Sequence, residues 1–325
     1  MNDKPIDAKA KRLDLAARAG WLYYIQRRTQ DEIAIELNVS RANAQRLVAL
    51  AISEGLIKFR LDHPLLQSME LAERIRHRFG LQSCEIAPSV EGDGDNRLGV
   101  GMVAAKLLEG YLSSRDPKVI ALGTGRALLE TVRQMPSMSR PEHRIVSVVG
   151  NLSRDGRASP YDVAMRLSDR VGAECYPLPL PVITDTQAEC DILRSQRGYR
   201  KVADLYENAD AVMLGVGSIG GRAPILVDGF VNRDEIDALL DDGAVGELMS
   251  RSFDGAGVPI DNAVTARLTA LRLIANPQRI VVLVASGADK VRPMMAALEG
   301  RYATGLVTDE RTATALLAQA GSDLA

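Results

Sequence analysis

The sequence predicts an α/β protein of two parts: an N-terminal winged helix-turn-helix domain over residues 1–62 and a larger domain over residues 63–325. Two observations predict this division. Near the N-terminus, two short amphipathic segments flank a tight turn, whereas the rest of the chain alternates short β-branched apolar runs with longer helical segments. Such alternation favours a doubly wound, mostly parallel sheet with helices on both faces.

The segment 29–54 has the pattern of two short helices joined by a turn. Thr29 precedes an apolar repeat of helical spacing, which predicts an N-cap and a helix over residues 30–37. Asn38 suits the turn, and Ser40 predicts the N-cap of a second helix that ends near residue 54. The pattern is typical of a helix-turn-helix.

The second helix carries polar side chains at its N-terminal end, of the types that reach base edges or phosphates from a major groove. The following run, residues 56–61, alternates apolar and basic residues and predicts a half-buried strand that forms the wing. An amphipathic helical hairpin with a solvated polar face is the alternative. The predicted contacts with double-stranded DNA are Thr29, Gln30, Ser40, Arg41, Asn43, Gln45, Arg46, Lys58 and Arg60.

Charge is unevenly distributed along the chain. Residues 1–60 contain eleven Lys and Arg against seven Asp and Glu, a net of +4; because the whole chain is at −2, the remainder is at −6. The N-terminal part is therefore attracted to phosphate and the rest is not. Each phosphate contact adds to a salt-dependent affinity for DNA. Because the net charge of one copy is modest, we expect a dimer to be needed for adequate affinity.

The segments that flank the helix-turn-helix predict two further helices. Residues 8–27 predict a helix that completes the small core, and we expect Trp21, Tyr23 and Tyr24 to pack there, because duplex DNA offers no free base faces. After the boundary near residue 63, a new apolar stripe predicts a helix from residue 65 to 79. This helix is interpreted both as a linker that pairs with its twin and as the first outer helix of the large domain.

Composition excludes several classes of protein. No apolar run is long enough to cross a bilayer, and the first residues lack a signal-peptide core. The three cysteines form neither a CxxC pair nor a balanced disulfide set, so we expect a reducing cytoplasm. None of the three histidines forms a ligand pair such as HxxxH, and we expect no metal and no cofactor.

Four apolar runs in the large domain predict strands, and a helical segment follows each of them. In an open parallel sheet, small ligands bind beyond the carboxyl ends of the strands. The predicted strands are 118–122, 144–149, 211–216 and 279–285, and the predicted helices are 127–134, 160–171, 234–241 and 291–299.

Glycine-rich turns follow three of these strands, over residues 123–126, 215–221 and 285–290. The first turn brings backbone amides, a hydroxyl and a guanidinium to a helix N-terminus, which suits an anion such as phosphate. In the third turn, Lys290 can reach a charged group on a ligand. Each turn alone is also explained as an ordinary tight connection between a strand and a helix, where glycine is common without any ligand. The spacing matches neither GxGxxG nor GxxxxGK[ST], which disfavours nicotinamide and nucleoside triphosphate ligands.

In this order the motifs resemble the SorC family of bacterial sugar-responsive transcriptional regulators, in which a helix-turn-helix precedes an effector domain related to sugar-phosphate isomerases. The motifs span nearly the whole chain. They are TQDEIAIELNVSRANAQRLVALAISEGLI at 29–57, LGTGRALLETV at 122–132, LGVGSIG at 214–220 and ASGADKVRPMMAALEGRYATGLVTDERTA at 285–313.

The resemblance implies a dimer or tetramer whose effector domains bind a phosphorylated sugar or polyol. By having Thr124 and Arg126, the first loop departs from the frequent tryptophan- or serine-containing form, which leaves the size of the ligand and its number of phosphates open. Asn151 and Asp254 are further candidates for hydroxyl contacts, although a solvated loop aspartate also explains Asp254. The residues that match the family's effector-binding loops are Gly123, Thr124, Gly125, Arg126, Gly215, Gly217, Ser218, Gly287 and Lys290.

The sequence thus predicts a transcription factor without catalytic activity, in which effector and operator each change the other's affinity. One alternative is an isomerase- or aldolase-like enzyme fused to a DNA-binding module, with Lys290 acting on a carbonyl or Asp254 as a base. A second alternative is a constitutive DNA-binding protein whose C-terminal domain only oligomerises.

Overall fold

A computed structural model describes residues 5–58, 65–89, 96–159 and 161–322. The chain divides into two compact units, residues 1–63 and 64–325. Each unit encloses a hydrophobic core of its own.

Residues 5–58, the described part of the N-terminal unit, form three helices. They are α1 (Pro5–Gly20), which continues into a π-helical turn (Trp21–Ile25), α2 (Gln30–Glu36) and α3 (Arg41–Ser53). Thr29 and Glu32 form a reciprocal capping box at the start of α2, and the turn before α3 places Asn38 at φ 51°, a left-handed conformation that asparagine tolerates well. Ala16, Ala19 and Leu22 pack on α2 and α3 to form the core.

The aromatic side chains of this unit do not pack as expected. Trp21 is 56% exposed and Tyr23 is 38% exposed, so the prediction that they fill the core is wrong for these two residues. The reason is helical spacing: Ala16 and Ala19 turn toward the neighbouring helices, and small side chains at these positions let the helices approach closely.

Only the first half of the predicted wing falls within the described residues. Residues 56–58 contain no strand, whereas residues 59–61, which complete the predicted strand, lie outside the described residues.

The large unit begins with a helix and then alternates strands with helices. Its elements are α4 (Leu66–Phe79), β1 (Ser83–Ala87), α5 (Arg97–Leu112), β2 (Val119–Leu122), α6 (Arg126–Gln134), β3 (Arg144–Ser147), α7 (Val163–Val171), β4 (Glu174–Tyr176), α8 (Gln187–Ser195), α9 (Arg197–Glu207), β5 (Ala211–Gly215), β6 (Gly217–Ser218), α10 (Pro224–Val227), α11 (Arg233–Asp241), β7 (Gly246–Leu248), β8 (Arg251–Phe253), β9 (Ile280–Val284), α12 (Val291–Glu299), β10 (Gly305–Asp309) and α13 (Glu310–Ser322).

Seven strands form a central sheet in the order β1-β10-β9-β5-β2-β3-β4, and every neighbouring pair is parallel. The chain runs outward from β2 to β4 in one direction and from β5 to β10 in the other, so the order reverses between β2 and β5. Such a switch point opens a crevice beyond the carboxyl ends of the two strands. A separate antiparallel sheet, β6-β7-β8, extends from the end of β5.

Both faces of the central sheet are buried. Along β5 and β9, successive side chains alternate between two apolar clusters, one on each face; in β5, for example, Val212 belongs to one cluster and Met213 to the other. Burial on both faces is what a parallel sheet requires, and it explains why the strands are continuous apolar runs.

The four predicted strands are present, each within two residues of its expected ends. The predicted helices of the large unit are also present, although the helix expected from residue 160 begins at residue 163. Strands β1, β4 and β10 were not predicted, because a short strand such as Glu174–Tyr176 or one that mixes polar and apolar residues gives a weak pattern.

Glu235 of α11 holds two distant segments together. Its Oε1 accepts hydrogen bonds from Arg154 and Arg267, each at 2.6 Å, while Oε2 accepts one from the backbone N–H of Asn232. Burial acts to raise the pKa of this carboxyl, but the hydrogen bond from Asn232 and the two guanidinium groups outweigh it and hold the pKa below its usual value.

We expect Glu235→Ala to lower the free energy of unfolding at pH 7 by about 3 kcal/mol, because it leaves two partly buried guanidinium groups without their partner. A carboxyl whose pKa is depressed in the folded state stabilises above its unfolded pKa, and that contribution disappears as the pH falls through the folded value. Urea unfolding of both proteins should therefore show a difference that shrinks in acid. Asp237→Ala, which breaks an exposed pair with Arg233 on the same helix, should cost less than about 1 kcal/mol.

Candidate functional site

A cavity of about 160 Å³ lies at the carboxyl edge of the central sheet, at the switch point. The loops that follow β2, β5 and β9 form its floor, and the segment 222–230 covers one side. The three glycine-rich turns of the sequence thus contribute to one site, as the ends of adjacent parallel strands must.

Two glycines allow the loops to approach this closely. A Cβ on Gly215 would lie 2.7 Å from the carbonyl oxygen of Thr124, and a Cβ on Gly217 would lie 1.9 Å from Oε1 of Glu247. Both distances are shorter than a real Cβ contact permits. At Gly215 the obstacle is backbone, so only glycine fits there, whereas a side chain at Gly217 would have to displace the Glu247 side chain. Gly125 adds a third requirement: its φ of 126° starts α6 from a conformation that other residues rarely adopt.

The floor presents the N-terminus of α6 to the cavity. Thr124, Gly125 and Arg126 line the cavity where this nine-residue helix begins. Its first backbone N–H groups have no partner within the helix, and together with the helix dipole they favour a bound anion. The Arg126 side chain adds a positive charge; its Nε lies 3.4 Å from the hydroxyl of Tyr161, which also lines the cavity.

A lysine and carboxylates form the other part of the lining. Lys290 is 17% exposed, and its Nζ lies 3.3 Å from Oδ2 of Asp289 and 3.4 Å from Oγ of Ser218. Glu247 enters from β7 and accepts a hydrogen bond from the backbone N–H of Ser250 at 2.7 Å. Burial raises the pKa of Glu247; the Ser250 bond and the Lys290 charge act in the opposite direction but do not cancel it.

A third carboxylate lies in the segment that covers the cavity. Burial raises the pKa of Asp228, and the positive charge of Arg126 opposes this shift. The lining therefore combines four cationic side chains, Arg97, Arg126, Arg222 and Lys290, with three carboxylates, Asp228, Glu247 and Asp289. Such a set can hold an anionic group and also accept hydrogen bonds from several hydroxyls.

The structure brings most of the sequence candidates together. Six of them line the cavity: Thr124, Gly125, Arg126, Gly215, Gly217 and Lys290. Gly123, Ser218 and Gly287 belong to the same loops without lining it.

Two candidates lie elsewhere. Asn151 does not line the cavity and donates from Nδ2 to Asp162 at 3.2 Å. Asp254 does not line it either; its Oδ1 accepts hydrogen bonds from the backbone N–H groups of Ala256 and Val258, at 2.9 and 2.8 Å. Its carboxylate thus closes its own loop, as aspartate commonly does in turns.

Sequence reasoning missed several of the charged lining residues. Arg97 and Asp228 adjoin none of the predicted strands, so nothing in their spacing indicates the cavity. Arg222, in contrast, directly follows the predicted turn 215–221 and could have been found from that position. For Glu247 there was a signal: it is the only charged residue in the run 244–249, and a lone carboxylate in an apolar run needs a special environment.

The N-terminal unit exposes one polar face of α3. Arg41, Gln45 and Arg46 are exposed on this face, whereas Asn43 is half-buried. Arg41 lies 3.4 Å from Asp31, an exposed pair that competing phosphate can replace at little cost.

The other residues predicted to contact DNA have different surroundings. The hydroxyls of Thr29 and Ser40 accept hydrogen bonds from backbone N–H groups at the starts of α2 and α3, at 3.3 and 3.2 Å. Gln30 and Lys58 are half-buried, and Arg60 lies outside the described residues.

Within the described parts of the chain, no helix is long and apolar enough to cross a membrane. The same residues contain no group of three or more His, Cys, Asp or Glu side chains that could hold a metal ion. All three cysteines are free, and burial raises the pKa of Cys84 to about 12, which keeps it a thiol at neutral pH.

Comparison with known proteins supplies a family. A family model described as "Putative sugar-binding domain" matches residues 63–318. The chain is 31% identical to the erythritol catabolism regulatory protein EryD of Brucella abortus, over 94% of this chain and 96% of that one. It is 30% identical to the transcriptional regulator LsrR of Klebsiella pneumoniae, over 94% of each chain.

A solved structure shows the same fold along nearly the whole chain. The full-length sorbitol operon regulator SorC of Klebsiella pneumoniae superposes with a TM-score of 0.70 at 24% identity, covering 97% of this chain and 100% of that one. The mixed α/β architecture with a parallel central sheet is therefore that of a SorC-type regulator.

We expect Glu247→Gln to be more stable than the unmodified protein above the native pKa of Glu247 and equally stable in acid. A carboxyl whose folded pKa is raised contributes stability below its unfolded pKa, and this contribution is lost as the pH rises through the folded value. Between the two pKa values the difference should grow by about 1.4 kcal/mol per pH unit. Urea unfolding from pH 4 to 8 measures it. Asp241→Asn, at an exposed acid of α11, is the control; an advantage of Glu247→Gln that does not vary with pH would contradict the burial argument.

Proposed function

This chain belongs to the SorC-type sugar-binding domain family, and from that premise we propose that it regulates transcription of a carbohydrate or polyol catabolic operon in response to a small effector. The observation that carries the proposal is the cavity at the switch point, where a helix N-terminus, basic side chains and carboxylates face one another, in a chain that also carries a helix-turn-helix pattern.

The proposed effector is a phosphorylated sugar or polyol. Its phosphate would bind at the N-terminus of α6, with Arg126 providing a charge-assisted contact. Its hydroxyls would donate hydrogen bonds to the carboxylates of Asp228 and Glu247. Neutral hydroxyl groups suit these carboxylates better than a second anionic group, which they would repel. The named relatives EryD and SorC regulate erythritol and sorbitol genes, and the modest volume of the cavity suits compounds of that size.

The proposed DNA-binding surface is the exposed face of α3, in the cytoplasm where the operator lies. Because the local charge of the N-terminal part is small, binding by two or four copies of the chain would supply the affinity that one copy lacks. Effector and operator would then favour different arrangements of the same oligomer, and by linkage each would change the other's affinity by the same factor.

One observation favours a second function. The amine of Lys290 and the carboxylate of Glu247 line the same cavity and influence each other electrostatically, as an acid-base pair in a sugar-phosphate isomerase or aldolase would. The relatives named above are regulators, which favours binding without turnover.

Substitutions on α3 test the DNA-binding surface. We expect Arg41→Ala and Gln45→Ala to reduce discrimination at one base pair per half-site, and removal of each side chain that reads a base edge should cost about 1 to 3 kcal/mol. Lys58→Ala is the contrasting variant: it should weaken binding to all sequences alike and reduce the salt dependence. Quantitative footprinting on the DNA upstream of the protein's own gene, at two salt concentrations, measures both. Unchanged footprints for both α3 variants would show that another surface reads the operator.

A panel of compounds tests the cavity. Erythritol 4-phosphate, ribose 5-phosphate, glucitol 6-phosphate and the free polyols are added to the full chain, and we expect one phosphorylated compound, at about a hundred times its dissociation constant, to stabilise it by roughly 2.7 kcal/mol. Arg126→Ala should abolish this stabilisation because it removes the cation beside the α6 N-terminus. Arg133→Ala, an exposed arginine at the other end of the same helix, is the matched control.

The same panel separates the two functions. The stabilising compound should change operator affinity and remain chemically unaltered when followed by NMR. Conversion of the compound that Lys290→Ala abolishes would establish the enzyme instead.

A further inference from the structure

Glu310 occupies a junction in the large unit. It is the first residue of α13 and follows β10 directly. Its Oε1 accepts a hydrogen bond from the hydroxyl of Ser68 in α4 at 2.7 Å, and its Oε2 accepts one from the backbone N–H of Ser89 at 2.9 Å. One half-buried carboxylate therefore joins three segments of the large unit.

The first turn of α13 is also bonded to the floor of the cavity. In the loop after β9, the backbone N–H of Gly287 donates to the hydroxyl of Thr312 at 2.9 Å. The backbone N–H of Thr312 in turn donates to Asp309 at 2.8 Å. Thr312 is 2% exposed and Asp309 is 4% exposed, so both hydrogen bonds are shielded from water. Breaking either of them without a replacement partner is therefore costly, which fixes their geometry. The loop that carries Lys290 is thus held by the turn that carries Glu310.

A second connection reaches Glu310 from another wall of the cavity. Pro88, which precedes Ser89, accepts a hydrogen bond at its carbonyl oxygen from Nδ2 of Asn96 at 2.7 Å. Asn96 is the N-cap of α5, and the next residue, Arg97, lines the cavity. The loop after β9 and the start of α5 are therefore both connected by hydrogen bonds to the segments that carry or contact the Glu310 carboxylate.

The third contact of Glu310 leads away from the cavity. Ser68 lies in the first turn of α4, is 8% exposed, and donates its hydroxyl to Glu310. α4 is the first helix of the large unit, immediately after the boundary between residues 63 and 64. The first turn of α4 is therefore the part of the large unit that lies nearest in sequence to the N-terminal unit. Any shift of this turn occurs where the chain joins the two units.

We propose that the Glu310–Ser68 hydrogen bond couples occupancy of the cavity to the position of α4, with Glu310 as the residue that positions this helix. The inference rests on the function proposed above and adds its route of regulation. Ligand contacts displace the loop after β9 or the start of α5, the α13 turn follows through Thr312 or Ser89, and the carboxylate strengthens or releases its bond to Ser68. A charge-assisted hydrogen bond in a shielded place is strong enough to bias two arrangements of a helix.

Ser68→Ala tests the coupling because it removes the hydrogen bond from α4 to Glu310 and leaves the lining of the cavity unaltered. The probe is whichever of erythritol 4-phosphate, ribose 5-phosphate and glucitol 6-phosphate stabilises the full chain most. Three dissociation constants are measured: probe alone, DNA alone, and DNA with saturating probe. We expect the variant to bind the probe as the unmodified protein does, while the factor by which the probe changes DNA affinity falls roughly 2- to 30-fold.

Glu299→Ala is the matched control. Glu299 of α12 pairs with Arg78 at the other end of α4, at 2.8 Å, so this variant also removes a contact of α4 but not the one made by the α13 turn. It should retain the full factor. Equal factors for Ser68→Ala and the unmodified protein would overturn the inference and leave the proposed function standing, and so would an equal reduction of the factor in both variants.

Hydrogen exchange on the unmodified full chain provides a test that needs no variant to fold. On addition of the probe, backbone amides at residues 66–72 and 310–315 should change protection together with the cavity loops. Release of DNA without any change at these two segments would overturn the inference. A probe that binds without altering DNA affinity would overturn the proposed function itself, and the inference with it.

Discussion

The close approach of the loop after β2 to the end of β5, and of β6 to β7, is the constraint on which the rest of the large unit depends. Gly215 lets the carbonyl of Thr124 lie where a side chain would otherwise be, and Gly217 leaves room for the carboxylate of Glu247 in the antiparallel partner strand. A side chain at Gly215 would press on the backbone of Thr124 and separate the two loops, so the α6 N-terminus would no longer face the lysine and carboxylates. A side chain at Gly217 would instead displace the Glu247 carboxylate. The shape of the site therefore depends on the two glycines as much as on the charged side chains that line it.

The mixture of charges in the cavity has a physical consequence for selectivity. Four cationic groups attract a phosphate, yet three carboxylates near them make the site unfavourable for a ligand that carries negative charge along its whole length. Burial raises the pKa of both Glu247 and Asp228, so each of these groups loses part of its hydration in the protein and gains when a ligand hydroxyl donates to it. The arrangement therefore suits the effector proposed above, with one anionic end and several hydroxyls, better than an inorganic anion or a diphosphate.

Much of this architecture follows from local sequence. Helix caps, left-handed turns and buried parallel strands depend on residues that are close together in the chain. Thr29 caps a helix, Asn38 adopts the left-handed turn, and the β-branched run Ile280–Val284 forms a buried strand, each as its side chains favour. The orientation of Trp21 was not predictable in this way: its exposure depends on which face of α1 and of the π-helical turn after it packs against the other helices, and hydrophobicity alone does not decide that. Asp254 was assigned to the site because of its residue type, whereas its loop uses the carboxylate for its own backbone.

The sequence by itself determined the two-part organisation, the helix-turn-helix pattern, the four main strands and the three glycine turns, since each depends on residues close together in the chain. The tertiary structure alone decided that Arg97, Asp228 and Glu247 meet these turns, because they come from elements far apart in sequence that only the strand order makes neighbours. It also decided that Ser68 and Glu310, near opposite ends of the large unit's sequence, share a hydrogen bond. Contacts of this kind depend on loop closure and packing over long separations, which no local pattern of residues records.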